Sequence, residues 1–372
     1  MGRFIQLHAL TSYPPSNLNR DDLGRPKSAI VGGSQRLRVS SQALKRAWRT
    51  SGTFKAALDG NLGVRTKEMG VRVYDALIAA GAKDKDAREW ARSIAACFGK
   101  LKAEKKAAKG EDAEAGKNKD DLHIEQLAHF GPEEIAAIDA LTATLCAEKR
   151  APSSDELELL RKPHAAVDIA LFGRMLAASP AFNVDAAAQV AHAITVHSAA
   201  VEDDYFTAVD DLNRGDEDRG AGHIGETGFG AGIYYLYVCI DLDLLDRNLA
   251  GDTALRNRAL AALVQAITQV SPSGKQNSFA SRAHASCLLA ERGSHQPRSL
   301  HLAYLRPEPK RKPDEDMASA AIRALRDKRL SLEQMYGPSC TDWCAAVEGE
   351  YQELLGDKAG SLYALIQFLQ AD

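Results

Sequence analysis

The chain predicts an α+β fold in which a mixed core carries a large helical insertion. Three observations carry this. β-favouring stretches occur at the N-terminus and again from about 190 to 305, and an Ala-rich block with helical patterning, 68–180, lies between them. The opening strand is followed by loop chemistry rather than a crossover helix, and strands and helices do not alternate, which argues against a doubly wound sheet.

Taken in order, RFIQLHAL alternates polar and apolar side chains and predicts a strand with one buried face. SYPPSNLNRDDLGRP is rich in Pro, Asn and Asp, as loops are. QRLRVS predicts a short strand, and a helix follows from Ser41 to about residue 54, with Ser40 as its N-cap and Leu44, Ala47 and Trp48 on one face. The helical block is interrupted at 100–120 by KLKAEKKAAKGEDAEAGKNKD, which has the composition of a mobile surface loop. Beyond Pro180, VAHAITVHSAAVEDDYF and FGAGIYYLYVCIDLDLL predict two strands that pair across an acidic, Gly-rich excursion. Residues 255–270 predict a helix, ASCLLAER and HLAYL predict strands, and 315–370 predicts two or three helices broken near Gly337-Pro338.

A chain of 372 residues, 45% of them hydrophobic, can bury the core of two ordinary domains. Its net charge of −3 excludes a uniformly basic surface, yet residues 1–72 carry thirteen Lys/Arg against four Asp/Glu. The remaining 300 residues are therefore net acidic, and the two portions face different partners. Six scattered cysteines signal neither a disulfide framework nor a zinc knuckle, and read as mostly buried thiols of a reducing cytoplasm. The N-terminus lacks the features of a secretory signal and no apolar run reaches the roughly 18 residues that span a bilayer, so a soluble, cytoplasmic protein without membrane association is expected.

The strongest local signal is SSQALKRAWR. On a helix, Gln42, Lys45, Arg46 and Arg49 form a cationic stripe opposite Leu44, Ala47 and Trp48, and Ser40 and Ser41 sit where free N–H groups favour an anion. An ordinary solvated face is the plain alternative. Arg20, Arg25, Lys27, Arg36 and Arg38 before the stripe and Arg65 and Lys67 after it, with few carboxylates nearby, favour a polyanion. Such contacts grip phosphate and sugar and carry no base-reading code.

Residues 201–226 hold nine acidic and two basic side chains. Glu202, Asp203, Asp204, Asp210 and Asp211 with His223 could furnish a metal-dependent ribonuclease using the acidic loop at 202–218, but the spacings match no metal loop. Phe206, Val209, Leu212 and Ile224 interleaved with acids read better as a projecting recognition arm, which could dock on the basic patch of another copy and build an open filament. The glycines of GETGFGAG lack the spacing of a nucleotide loop and read as hinge or bulge. His192 and His197, on opposite faces of the expected strand, read as structural, as do Cys340 and Cys344, one turn apart if a helix reaches them. Met175, in FGRML, reads as helix core, although an exposed Met can wedge against bases.

RFIQLHALTSYPPSNLNRDDLGRPKSAIVGGSQRLRVSSQALKRAWR, LFGRMLA, FNVDAAAQVAHAITVHSAAVEDDYFTAVDDL and GAGHIGETGFGAGIYYLYVCIDLDLL resemble the CasC (Cse4) family, the backbone subunit of the type I-E CRISPR Cascade complex. The resemblance covers essentially the whole chain. It implies a modified RRM-like (ferredoxin-like) palm at 1–60 and 181–372, helical fingers at 61–180 and a thumb loop at about 201–225. It also implies a noncatalytic protein, without cofactor or metal, that polymerises, usually as a hexamer, along CRISPR RNA. Its partners would be that RNA, the target DNA strand paired to the guide, neighbouring copies, and the large, small, guide-processing and handle-binding Cascade subunits. On the matched positions Lys27, Ser40, Gln42, Lys45 and Arg49, with Arg46, Arg65 and Lys67, would contact the guide backbone. Met175 and the thumb residues Phe206, Leu212 and Ile224 would hold displaced nucleotides, leaving sequence readout to base pairing.

Overall fold

A computed structural model of the chain describes residues 3–103, 119–162, 164–208, 223–307, 309, 311–338 and 342–371. The expected surface loop falls largely on 104–118, and Leu212, Asp210, Asp211 and Cys340 also lie outside the described residues. The chain divides into two compact units. The first comprises Met1–Ala57, Ala188–Asp243 and Asn257–Asp372, the second Leu58–Ala187 and Leu244–Arg256.

The chain opens with β1 (Phe4–Ser16), the hairpin β2 (Ser28–Val31) and β3 (Ser34–Val39), α1 (Ser41–Thr50) and α2 (Gly52–Ala57). Then come β4 (Val64–Thr66), α3 (Met69–Ala79), α4 (Asp84–Ala96), β5 (Ala128–Phe130), α5 (Pro132–Glu148) and α6 (Val167–Phe172). Next are β6 (Ala188–Val190), β7 (Ala193–Thr195), β8 (Glu202–Ala208), β9 (His223–Asp241), α7 (Leu242–Asn248) and α8 (Thr253–Gln269). The last elements are α9 (Gln276–Phe279), β10 (Ala285–Gly293), α10 (Met317–Tyr336), β11 (Asp342–Val347), β12 (Ala359–Gly360) and α11 (Leu362–Gln370).

The first unit is built on a mixed sheet in the order β12-β11-β10-β1-β9-β7-β3-β2, with β6 and β8 also pairing along β9. β1 lies at its centre, antiparallel to both β9 and β10. Position in the sheet explains why β1 departs from the expected single buried face: Gln6 and His8 are buried as well as Ile5, Leu7 and Ala9. Leu10, Tyr235, Cys287 and Leu289 on one face pack with Ile322 and Leu325 of α10 in a common core. Buried charge crosses that same face. Glu291 accepts hydrogen bonds from His8 Nε2 at 3.2 Å, Arg298 Nη2 at 2.9 Å and Arg329 Nε at 2.8 Å, and the Arg329 guanidinium lies 4.5 Å from the Trp343 ring centroid.

Several elements differ from expectation. β1 runs on through Ser16 because a register shift between Tyr13 and Ser16 absorbs two prolines that have no N–H for the ladder. A hairpin, β2–β3, precedes the helix; Gly32 and Gly33, both at positive φ, make its two-residue turn, and a Cβ at Gly32 would collide with the Leu305 carbonyl. The helix expected to 54 breaks at Ser51, whose hydroxyl donates to Trp48 O and accepts from Phe54 N, capping the end of α1 and the start of α2. VAHAITVHSAAVEDDYF is three short strands, β6 to β8, so His192 and His197 lie between strands and not within one. LDLL, at the end of the second expected strand, is helical as part of α7. HLAYL is a 3-10 turn at His301–Tyr304, because Leu300 and Tyr304, both fully buried, enter the core at helical spacing. The C-terminal region has the helices α10 and α11 with the strands β11 and β12 between them, and this puts Cys344 on a strand. Cys239 and Cys287 are buried, and burial pushes their thiols up to about 11 and about 12; Cys97, Cys146 and Cys344 are half-buried.

The second unit is mainly helical. α3, α4 and α5 enclose a core of Val73, Leu77, Trp90, Ile94, Ile138 and Leu141, and β4 and β5 form a small ribbon. At one side Arg174 and Glu134, both completely buried, pair at 2.7 Å. Glu134 also accepts the Gly131 and Arg161 N–H groups, and Arg174 donates to the Phe182 and Arg161 carbonyls.

Candidate nucleic-acid interface

α1 forms where the sequence places it because its apolar residues return every turn. Leu44 and Trp48 are buried, and Ser40 Oγ accepts the Ala43 N–H at 3.3 Å. The cap takes one lone pair of the Ser40 oxygen and leaves the hydroxyl proton uncommitted, on a residue that is itself buried. Ser40 is in turn held by Asn19 Oδ1, which accepts its N–H at 2.9 Å.

The cationic stripe divides into two faces. Gln42, Arg46 and Thr50 are exposed, whereas Lys45 and Arg49 are half-buried and engaged within the chain, and burial lowers the Lys45 pKa. Ala47, expected on the buried face, instead joins Ala43, Arg46 and Thr50 along a cleft of about 880 Å³. Its other walls are the turn from Leu18 to Asp21 and the segment 269–274, with Arg282 and His284.

Lys27 is half-buried beside α1's entry, its N–H donating to Asn19 O and its carbonyl accepting from Arg38 N, both at 2.8 Å. Arg38 donates to His192 Nδ1 at 2.7 Å. Burial, with the Arg38 and Lys27 charges, holds the His192 imidazole below its ordinary value, so it accepts as the neutral ring. Arg36 is fully buried, donating to the Thr195 and Tyr304 carbonyls, and is not available to a ligand.

The residues named from the sequence divide between the two units. Lys27, Ser40, Gln42, Lys45, Arg46 and Arg49 are in the first unit, Arg65, Lys67 and Met175 in the second. Arg65 is an exposed residue of β4 and Lys67 is half-buried. Met175 is 75% exposed on the segment after α6, so it is not helix core, and it borders a cleft of about 290 Å³ with Phe98, Leu127 and Leu176.

The expected arm is the β8–β9 hairpin. Phe206, 44% exposed, pairs with Gly225, where a Cβ would strike the Phe206 ring, so that glycine makes room for the aromatic. Ile224 is on β9. Asp203 is paired with Arg25 at 3.0 Å. Among the described residues no group of His, Cys, Asp or Glu is arranged to hold a metal ion, and no helix is long and apolar enough to cross a membrane.

The hairpin's root is held from two sides. The buried Asn17 donates to the Gly24 carbonyl at 3.0 Å and to the Gly228 carbonyl at 2.8 Å, and Lys275 Nζ donates to Thr227 Oγ1 at 2.9 Å. Phe279 packs against Phe229 with centroids 6.0 Å apart. Asn17→Ala leaves two carbonyls without their donors, at a cost of about 1–3 kcal/mol. Hydrogen exchange should accelerate across 223–232 and stay unchanged in α5; equal protection in both segments would contradict the assigned role.

Asn17, Lys275, Arg282 and His284 were missed from the sequence. The available signal was SPSGKQNSFASRAH, a Ser/Gly/Pro-rich segment with three cationic or titratable side chains, but its neighbours are some 250 residues away in the chain.

Comparison with solved structures shows the same architecture over nearly the full length. A chain described as "CRISPR RNA-guided surveillance complex, pre-nicking" is 31% identical, with a TM-score of 0.81 and 99% of each chain covered. A chain described as "CRISPR RNA-guided surveillance complex" is 26% identical with a TM-score of 0.70, again over 99% of each chain. No curated protein matches. A family model described as CT1975-like protein matches residues 5–367, and with nearly the whole sequence inside that match the chain belongs to the CT1975-like protein family.

Proposed function

We propose that this chain is a noncatalytic backbone subunit of a type I-E CRISPR Cascade complex. The observation that carries the reading is the full-length likeness to chains of RNA-guided surveillance complexes, combined with the cationic surface centred on α1. In this reading the first unit is the RRM-like palm, the second the fingers, and the β8–β9 hairpin the root of the thumb. Lys27, Gln42, Lys45 and Arg49 take guide phosphates, and the Ser40 hydroxyl donates its remaining proton. Copies line up along CRISPR RNA, six in the usual assembly, and the arm displaces periodic nucleotides so that the intervening bases can pair with target DNA. The protein does no chemistry. Cationic contacts release counterions and offset the lost flexibility of the strand.

The test is coexpression with the other Cascade subunits and a CRISPR array, followed by native mass determination and denaturing RNA analysis. Several copies on a discrete uncut RNA are expected. A single RNA-free copy, or RNA shortened only when divalent metal is present, would overturn the reading. For the chain itself, Lys45→Ala with Arg49→Ala should weaken single-stranded RNA binding by about tenfold or more and flatten its dependence on salt, the slope falling by about 1.4 for two lost phosphate contacts.

A further inference from the structure

We propose that the cleft beside α1 is a second phosphodiester site for single-stranded RNA, in which Arg20, Arg46 and Arg282 neutralise the backbone; this rests on the RNA-binding reading and extends it from the Lys45 and Arg49 face of α1 to Arg46 and to two arginines outside the helix. The three guanidiniums come from three separate segments, the turn after β1, α1 and the loop before β10, and line one cleft. All three are exposed, and none has a side-chain hydrogen bond or ion pair among the described residues. Arg20 also borders a smaller cleft with Asp203 and Glu226 but pairs with neither; three arginines without an ion pair that line one concavity are arranged for an anion supplied from outside.

The acid at the cleft does not cancel them. Asp21 Oδ1 accepts the Leu23 N–H at 3.0 Å and the Arg25 N–H at 2.9 Å, which ties the carboxylate to its own turn, and its single negative charge leaves the three guanidiniums in excess. A cleft of about 880 Å³ has room for a nucleotide with its flanking phosphates. Thr53 and Ser273 also line it, with hydroxyls that have no partner among the described residues and can meet a ribose. No aromatic side chain other than the His284 imidazole lines the cleft, so it offers bases no stacking platform and is indifferent to sequence. α1 thereby has two working faces: Lys45 and Arg49 on one, Arg46 on the other.

The test measures binding of oligouridine RNA by the full chain across a salt series, for the wild type, Lys45→Ala with Arg49→Ala, and Arg20→Gln with Arg282→Gln. The cleft variant should lose about tenfold or more in affinity at low salt, with a salt slope lower by about 1.4, and Arg20→Lys with Arg282→Lys should restore most of the slope because charge is retained. Both positions are exposed, so thermal unfolding should match the wild type. If the cleft variant binds within twofold of the wild type with the same slope while the Lys45/Arg49 variant is weakened, the cleft is not a site and the RNA reading stands. If the wild type binds no RNA, alone or in the coexpressed complex, both fall.

Discussion

Arg174→Met is expected to destabilise the second unit by about 3–5 kcal/mol, the cost of leaving a buried carboxylate without its counter-charge. Both partners of the Arg174–Glu134 pair have fully buried side chains. Removing the arginine leaves Glu134 with only the Gly131 and Arg161 N–H groups, which satisfy lone pairs but not the charge, and frees the Phe182 and Arg161 carbonyls that Arg174 served. Adding Glu134→Gln removes the charge, leaves an oxygen for the Gly131 N–H, and should recover a large part of the loss. Urea titration read by hydrogen exchange in α5 measures both. A loss below about 1 kcal/mol, as for an exposed pair, would mean that the site is wet.

Glu291→Gln should cost a similar amount in the first unit, and its effect should depend on pH in a defined direction. Burial alone would raise the Glu291 pKa, but the hydrogen bonds from His8 and Arg298 outweigh it and hold the carboxyl well below the usual range. A group depressed on folding contributes stability above its unfolded value, about 4.3, and loses it as pH falls toward the folded value. The gap between variant and wild type should therefore be full at neutral pH and narrow below about pH 4.3.

His8 adds an earlier step. Burial, against the pull of Glu291, lowers its pKa, so the folded ring is neutral, with Nε2–H donating to Glu291 and Nδ1 accepting from Tyr235 Oη at 2.9 Å. The unfolded ring binds a proton near pH 6.5, so this contribution is lost as pH falls below 6.5, by up to about 1.4 kcal/mol per pH unit. His8→Gln should flatten the wild-type curve between about pH 6.5 and 5. An unchanged slope there would show that His8 does not titrate differently in the two states.

What could be read from the sequence was local. α1 was legible because Leu44 and Trp48 repeat at helical spacing and Ser40 is a strong cap, both properties of a ten-residue window. β11 was not, since Cys344, Ala345 and Ala346 have little strand preference and are drawn into the sheet by pairing with Ala290, Leu289 and Leu288. Tyr304 lies in a turn and not a strand for the same kind of reason: its ring is buried against Tyr235 and its hydroxyl donates to Ala321 O, partners far off in sequence. The site divides likewise. Arg46 was visible as a member of a stripe, while the cleft it faces depends on residues 269–284 arriving beside it, an encounter between distant segments that leaves no local pattern.

The central place of β1 has a consequence for synthesis. Its partners are β9, more than 200 residues later, and β10, later still, so a nascent chain carries β1 unpaired while most of the protein is made. The second unit, contiguous from 58 to 187 apart from its short return at 244–256, has its core residues available long before. The order of emergence therefore lets the helical unit fold on the ribosome first, with the sheet of the first unit closing around β1 only after Gly293 has left the exit tunnel. Until residues 269–284 have emerged, the cleft beside α1 has only the helix and the turn from Leu18 to Asp21 as walls, and Arg20 and Arg46 stand there without Arg282.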